Sequence, residues 1–484
     1  MGTACLATAL AGLFSAMFLG IDIGSSKVAA ALLGETGNIE AAASARHEAD
    51  LIAPPGRHEQ DPTRLLEAAW GVVKTLPRDL RQKTAAVGVT GQMHGVLVLD
   101  RNRKPLTPLI SWQDQRCLEE RSFLARLSSL TQYPLAAGYG CATLAWLIQN
   151  KCVPSEARCT ATIQDLAVAV LCDQIQPHTD PTDAASWGFF DLEHLKWDQN
   201  AVKAAGVPVG WLPEILPCGA RAGMLDEATS SDLGLPRGIP VAAAIGDNQA
   251  SILATLDDPE RQLALNLGTG GQISAVLPPN ARLEIQPGQH YTEVHEPGSR
   301  ESKAGWQFSA EYRPFPGNRY ALVAACLCGG SAWRWLAESV NCWLGELGLP
   351  ALSMESLYQR LNELGLNALG ENALSIQPHF LGERYDVSLR GVIKGIDLGN
   401  FQLGSLAKAL AKGVFQNLRH MLPPSAYAGR TQVVASGNAL ARNSLLVTMA
   451  SQVFDLPVLL KEQREEAACG AAMLAKQLAT SCQS

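Results

Sequence analysis

Two carboxylates in this sequence stand where short apolar runs meet turns, a setting that lets an acidic side chain project into a cleft. Asp22 lies within the apolar run 18–23 and is followed by the turn Gly24-Ser25-Ser26. The backbone N–H groups of such a turn, with two hydroxyls, form an anion cradle. A single carboxylate beside it suits hydrated magnesium, which takes few carboxylates and keeps its water. Asp247, in Gly246-Asp247-Asn248-Gln249, follows the apolar run 241–244 and precedes an expected helix. It is either that helix's N-cap or a base that orients an alcohol for phosphoryl transfer. That reaction asks for positioning and charge stabilisation more than for a strong base.

Glycine turns recur along the chain. Gly268-Thr269-Gly270-Gly271 repeats the first cradle. Neither turn belongs to a G-x-x-x-x-G-K-[ST] loop, and Ile273 occupies the last glycine position of G-x-G-x-x-G. Ser436-Gly437-Asn438 follows the apolar run 432–435; it either admits a ligand close to backbone or is a plain strand-to-helix turn. Gly329-Gly330 is a tight helix start or an adenine-side contact. Met93-His94 and Trp112-Gln113-Asp114-Gln115-Arg116 lie in polar stretches at strand ends. Singly they read as a structural histidine, a core tryptophan and a surface ion pair. Together their stacking face, carboxylate, guanidinium and imidazole suit a polyol.

These residues need a scaffold of short strands and helices. The spacing predicts strands over 18–23, 28–33 and 85–90, and an extended run over 95–99. Between them Asp61-Pro62 reads as an N-cap with proline in the first helical position. Leu65, Leu66, Ala69, Val72, Val73 and Leu76 follow at helical spacing, and Pro77 stops the helix. The mixture argues α/β. One echo stands out. The segment 18–28 and the segment 263–273 are each an apolar strand with a polar Asp22 or Asn266, a glycine–hydroxyl turn and a second strand. They are either two unrelated hairpins or a duplicated unit whose lobes face one nucleotide. The boundary falls near 253–259.

The chain has 484 residues, too many for one hydrophobic core. It is 47% hydrophobic and 18% charged, which excludes a disordered chain. Its 39 Lys+Arg against 46 Asp+Glu give a net charge of −7, without the basic footprint of a nucleic-acid binder. The 12 cysteines include no C-x-x-C pair and fit reduced thiols in cytoplasm. Residues 1–21 carry no charged side chain, but a signal peptide lacks its positive start here and a membrane span is diluted by small polar residues. Residues 1–16 are expected to be a non-structural leader.

At these motifs the chain resembles the FGGY carbohydrate kinases. Gly20-Ile21-Asp22-Ile23-Gly24-Ser25-Ser26, Gly91-Gln92-Met93-His94-Gly95, the Trp112–Arg116 segment, Gly246-Asp247-Asn248-Gln249-Ala250 and Gly382-Glu383-Arg384 occur in the family's order. Glu59-Gln60-Asp61-Pro62 and the segment 466–472 are similar to family segments. Within the family, Gly140-Cys141-Ala142-Thr143, Thr162-Ile163-Gln164-Asp165, the segment 183–188 and the segment 416–423 are most similar to members that act on sedoheptulose. Met93-His94 is shared with members that act on xylulose, and it stands where those acting on glycerol read Arg-Glu.

The resemblance implies a two-lobed actin-like ATPase (ribonuclease H-like) fold, with a duplicated domain and a central cleft. It implies a sugar-binding domain over 17–253 and a nucleotide-binding domain over 254–484. It implies ATP-dependent phosphorylation of an open-chain ketose, with Asp247 as base. Met93, His94, Asp247 and Asn248 would line the sugar site, joined by Asp114 and Arg116. Asp22 would face magnesium. Ser25, Ser26, Gly268, Thr269, Gly330, Gly437 and Asn438 would hold the nucleotide. The expected partners are the ketose and ATP, with neither nucleic acid nor membrane, for a monomer or homodimer. Two alternatives stand beside this: a D-xylulose kinase, and an actin-like ATPase scaffold that phosphorylates no sugar.

Overall fold

The computed structural model describes residues 16–279, 281, 291–292, 309–368, 374–383, 386, 388–461 and 465–481. The expected leader lies outside them except for Ala16, whose N–H donates to Glu35 Oε1 (3.1 Å). Arg384 and Tyr385 also lie outside.

Two seven-stranded sheets organise the chain. The first contains β1 (Met17–Ile23), β2 (Lys27–Leu33), β3 (Ile39–Arg46), β4 (Thr84–Gly91), β5 (Arg221–Met224) and β6 (Pro240–Ala242) in the order β5-β6-β4-β1-β2-β3. A short β7 (Ile245–Gly246) pairs with the end of β4. The second contains β8 (Gln262–Leu267), β9 (Gly271–Val276), β10 (Tyr291–Thr292), β11 (Ala310–Phe315), β12 (Arg319–Cys326), β13 (Gln432–Ser436) and β14 (Val458–Leu460). Their order is β10-β11-β12-β9-β8-β13-β14. The sequence echo is therefore structural. In each half a hairpin, β1–β2 or β8–β9, has its first strand paired in parallel with a later strand, β4 or β13. Asp22 stands beside Ala29 and Thr90; Asn266 stands beside Gln272 and Ser436.

Strand β1 is buried along its whole length because helices cover both faces, which explains its unbroken apolar run. The helix Pro62–Thr75 covers one face. Asp61 caps it as expected, accepting from the N–H groups of Thr63 and Arg64. The other face is covered from far away. The last described helix, Glu466–Ser481, lies so close that a Cβ on Gly20 would meet the Ala468 carbonyl at 1.8 Å, and one on Gly88 the Ala471 carbonyl at 2.0 Å.

The helix Asp247–Thr255 does the reverse. It leaves the first sheet and buries Ile252, Leu253 and Leu256 against Ala264, Val276, Val323 and Val434 of the second. The two exchanged helices cross where Gly470 meets the backbone of Ala250. Residues 92–220, inserted between β4 and β5, build a separate apolar cluster around Trp146, Trp187 and Phe189. From this insertion Ala184, Phe190 and Leu192 reach into the core of the second sheet.

Candidate active site

Asp247 opens its helix but does not cap it. Gly246 holds the cap position, and no side-chain hydrogen bond closes the helix start. The peptide before the carboxylate is fixed instead. The Gly246 N–H donates to Thr182 Oγ1 (2.8 Å), and that hydroxyl donates to Asp180 Oδ1 (2.6 Å). Thr90 Oγ1 donates to the Ile245 carbonyl (2.7 Å).

The cleft in front of Asp247 has two chambers. One, of about 340 Å³, is lined by Asp22, Asn266, Ser274, Ser436 and Glu466. The other, of about 320 Å³, is lined by Met93, His94, Trp112, Glu311 and Arg313. Asp247, Asn248 and Gln272 line both. Burial pushes the Asp247 carboxyl up to about 6, against the opposing pull of the Asn248 N–H and the Arg313 charge. Asp22 is pushed up to about 8, by burial first and then by the negative charge of Asp247.

The chemistry of Asp22 fits a divalent cation. Its Oδ1 is buried and has no hydrogen-bond partner among the described residues. A buried carboxylate oxygen left this way is costly unless a positive charge meets it. No group of three or more His, Cys, Asp or Glu among the described residues is arranged to hold a metal. One carboxylate with water and phosphate oxygens is the donor set magnesium accepts.

Met93 and His94 hold the opposite wall. The His94 N–H donates to Ser186 Oγ (3.0 Å), and its Nδ1 meets the Ser186 carbonyl at 2.6 Å. A carbonyl only accepts, so Nδ1 carries the hydrogen of that contact. His94 has φ 70°, a strained value for a side-chain-bearing residue. Its ring stacks on Tyr139 with centroids 4.9 Å apart.

The Ser25 hydroxyl is engaged within the protein. It accepts from Trp112 Nε1 (2.8 Å) and donates to Gln92 Oε1 (3.2 Å). Gln92 donates to Gln60 Oε1 (2.7 Å), and Gln60 donates back to the Ser25 carbonyl (3.0 Å). This ring fixes the first turn and stands Trp112 against the chamber. Ser26 is exposed, and neither serine is among the residues lining the chambers.

Asp114 and Arg116 are also absent from both linings. They are a buried pair, 1% and 4% exposed. Arg116 donates to both Asp114 oxygens (2.8 and 2.9 Å) and to Glu59 Oε1 (2.6 Å), while Asp114 accepts from the His58 N–H (2.8 Å). They brace the Trp112 turn. The Gly140–Gln149 helix packs against Trp187, on which a Cβ at Gly140 would collide at 2.7 Å.

On the second lobe three turns distant in sequence converge. The Gly329 and Gly330 N–H groups donate to the carbonyls of Thr269 (3.0 Å) and Gly268 (2.8 Å). Gly437, at φ 103°, lies so close that a Cβ there would meet the Leu267 carbonyl at 2.6 Å. Asn438 begins the short helix after it. Gly268, Thr269, Gly330, Gly437 and Asn438 thus belong to one patch of exposed or close-packed backbone.

Glu311, Arg313 and Gln272 were not singled out by sequence reasoning. Glu311 and Arg313 face the second chamber from alternate positions of β11, and only that i, i+2 spacing marked them.

Comparison with known proteins adds to this geometry. Residues 17–254 match the N-terminal domain of the FGGY family of carbohydrate kinases, and residues 308–477 match its C-terminal domain. The sedoheptulokinase of Mus musculus is 31% identical, spanning 95% of this chain and 97% of the mouse protein. That of Homo sapiens is 31% identical over 94% of this chain and 96% of its own. The crystal structure of the xylulose kinase from Rhodospirillum rubrum superposes with a TM-score of 0.78 at 22% identity, covering 96% of this chain and 90% of that one.

Proposed function

The chain belongs to the FGGY family of carbohydrate kinases, and from that premise we propose that it moves the γ-phosphoryl group of ATP to the C7 hydroxyl of open-chain sedoheptulose, with Asp247 as base. One observation carries the reading: Asp247 is the carboxylate shared by two chambers of different chemistry. ATP would lie on the Asp22 side, its nucleoside toward the glycine patch. The ketose would lie along Met93, His94 and Trp112. The likeness to the mouse and human sedoheptulokinases supports the seven-carbon acceptor.

Each group then has a task. The Asp247 carboxylate accepts the hydroxyl proton as the oxygen bonds to the γ-phosphorus and the bond from phosphorus to the ADP oxygen breaks. His94 pairs with a sugar hydroxyl, and Asn248 orients the reacting end. Asp22 would hold magnesium, which when bound supplies positive charge against the phosphate oxygens.

The test is product analysis. Phosphorus NMR of a reaction with sedoheptulose and MgATP is expected to show one phosphate ester, at C7, formed in step with ADP. ADP release indifferent to every sugar would instead mark an ATPase scaffold.

A pH profile follows from the raised carboxyl. Asp247 must be ionised to act, and it is protonated below about pH 6. With MgATP saturating, so that the cation would keep Asp22 ionised, kcat/KM for the ketose is expected to fall about ten-fold per pH unit below that point and to level above it. A profile flat from pH 5 to 8 would contradict the assignment.

A further inference from the structure

We infer that Arg313 and Glu311, contributed by the second lobe, are specificity-determining residues that pair with ketose hydroxyls beside the one that receives the phosphate and so set the acceptor preference. The inference rests on the function proposed above and extends it.

The geometry begins with β11. Ala310 and Tyr312 are buried in the core of the second sheet, while Glu311 and Arg313 line the acceptor chamber. A strand alternates its faces, so one element both packs the core and presents two charged groups to the cleft. The pair is preorganised. Arg313 Nε and Nη2 reach Glu311 Oε2 at 3.0 and 2.6 Å, and both side chains are 13% exposed.

A buried ion pair is weak evidence for stability, since desolvation offsets its attraction. This pair sits in a chamber wall, where its donors and acceptors can meet a ligand. A guanidinium only donates, a carboxylate only accepts, and a polyol's hydroxyls do both. Arg313 Nη1 also approaches Met93 Sδ across the cleft, at 3.6 Å. A thioether is a weak acceptor, so a sugar hydroxyl there would be a better one.

The chamber continues past the pair. A recess of about 20 Å³ is lined by Met93, His94, Tyr139, Thr182, Glu311 and Arg313. That is room for one water-sized group, such as a hydroxyl of the bound ketose. An acceptor that presents no hydroxyl there leaves the pair without that partner. Sites built to pair a hydroxyl discriminate strongly against analogues lacking it. Arg313 also bears on Asp247, since its charge opposes the rise caused by burial.

The test compares wild type, Arg313→Gln, Arg313→Lys and Glu311→Gln with sedoheptulose, D-xylulose and ATP. Arg313→Gln is expected to raise the sedoheptulose KM at least ten-fold, leave the ATP KM within about two-fold, and erase most of the preference over D-xylulose. Its acid limb should also move to higher pH. Arg313→Lys keeps the charge but not the fork, so it should restore the pH limb and not the preference. Glu311→Gln serves if an arginine variant fails to fold. Parallel losses on both sugars and ATP, or an unchanged preference, overturn this inference while the kinase reading stands. A wild type that phosphorylates no ketose overturns both.

Discussion

Asp247→Asn is expected to lower kcat by about 10²–10⁴-fold, the usual contribution of a general base, and to leave the fold intact. The substitution keeps size and removes the charge of a part-buried carboxyl at the cleft wall. Gly246, not Asp247, caps the helix, so no cap is lost. The clamp from Thr182 and Asp180 holds the backbone in either protein. ATP should bind the variant with nearly wild-type affinity, because the turns proposed to hold the nucleotide lie on the other lobe. A loss of less than a few-fold in kcat would remove Asp247 from its role.

Gly470→Val is expected to lower stability strongly. A Cβ at this position would stand 1.9 Å from the Ala250 carbonyl oxygen and 2.5 Å from its carbon, both backbone atoms that cannot turn aside. The helices must separate, and each is pinned to the opposite lobe's sheet. Overpacking of this kind costs about 1–3 kcal/mol, occasionally more, and a domain of this size loses about 2–4 °C in Tm per kcal/mol. Because Asp247 begins one of the two helices, separation also moves the base. Calorimetry should show a fall of several degrees, together with a lower kcat. A Tm within a degree of wild type would mean that the crossing relaxes without cost.

The groups legible in the sequence were those whose position follows from local grammar. Asp22 and Asp247 stand at strand ends, and Met93-His94 follows a strand directly; all four line the cleft. The glycine turns were legible because backbone crowding needs glycine whatever lies elsewhere, as Gly329, Gly330 and Gly437 demonstrate. The duplicated hairpin was legible as a repeated pattern.

What the sequence could not convey was partnership across distance. Asp114 and Arg116 satisfy each other and Glu59, a saturation invisible in a string of letters. The Ser25 hydroxyl is taken by Trp112 and Gln92, residues 87 and 67 positions away. Glu311 and Arg313 occupy an ordinary alternating strand, and only the apposition of the lobes brings them to the sugar side. Likewise the exchange of the two crossing helices depends on which sheet each finds, which helical periodicity does not encode.

The most direct measurement of the central claim is kcat/KM for sedoheptulose, D-xylulose, D-ribulose and glycerol with MgATP under one set of conditions. The account predicts sedoheptulose to be preferred at least ten-fold over D-xylulose, about 1.4 kcal/mol of transition-state stabilisation, with glycerol poorest. D-xylulose used ten-fold better than sedoheptulose would contradict the seven-carbon assignment, and no phosphorylation of any of the four would contradict the kinase reading itself.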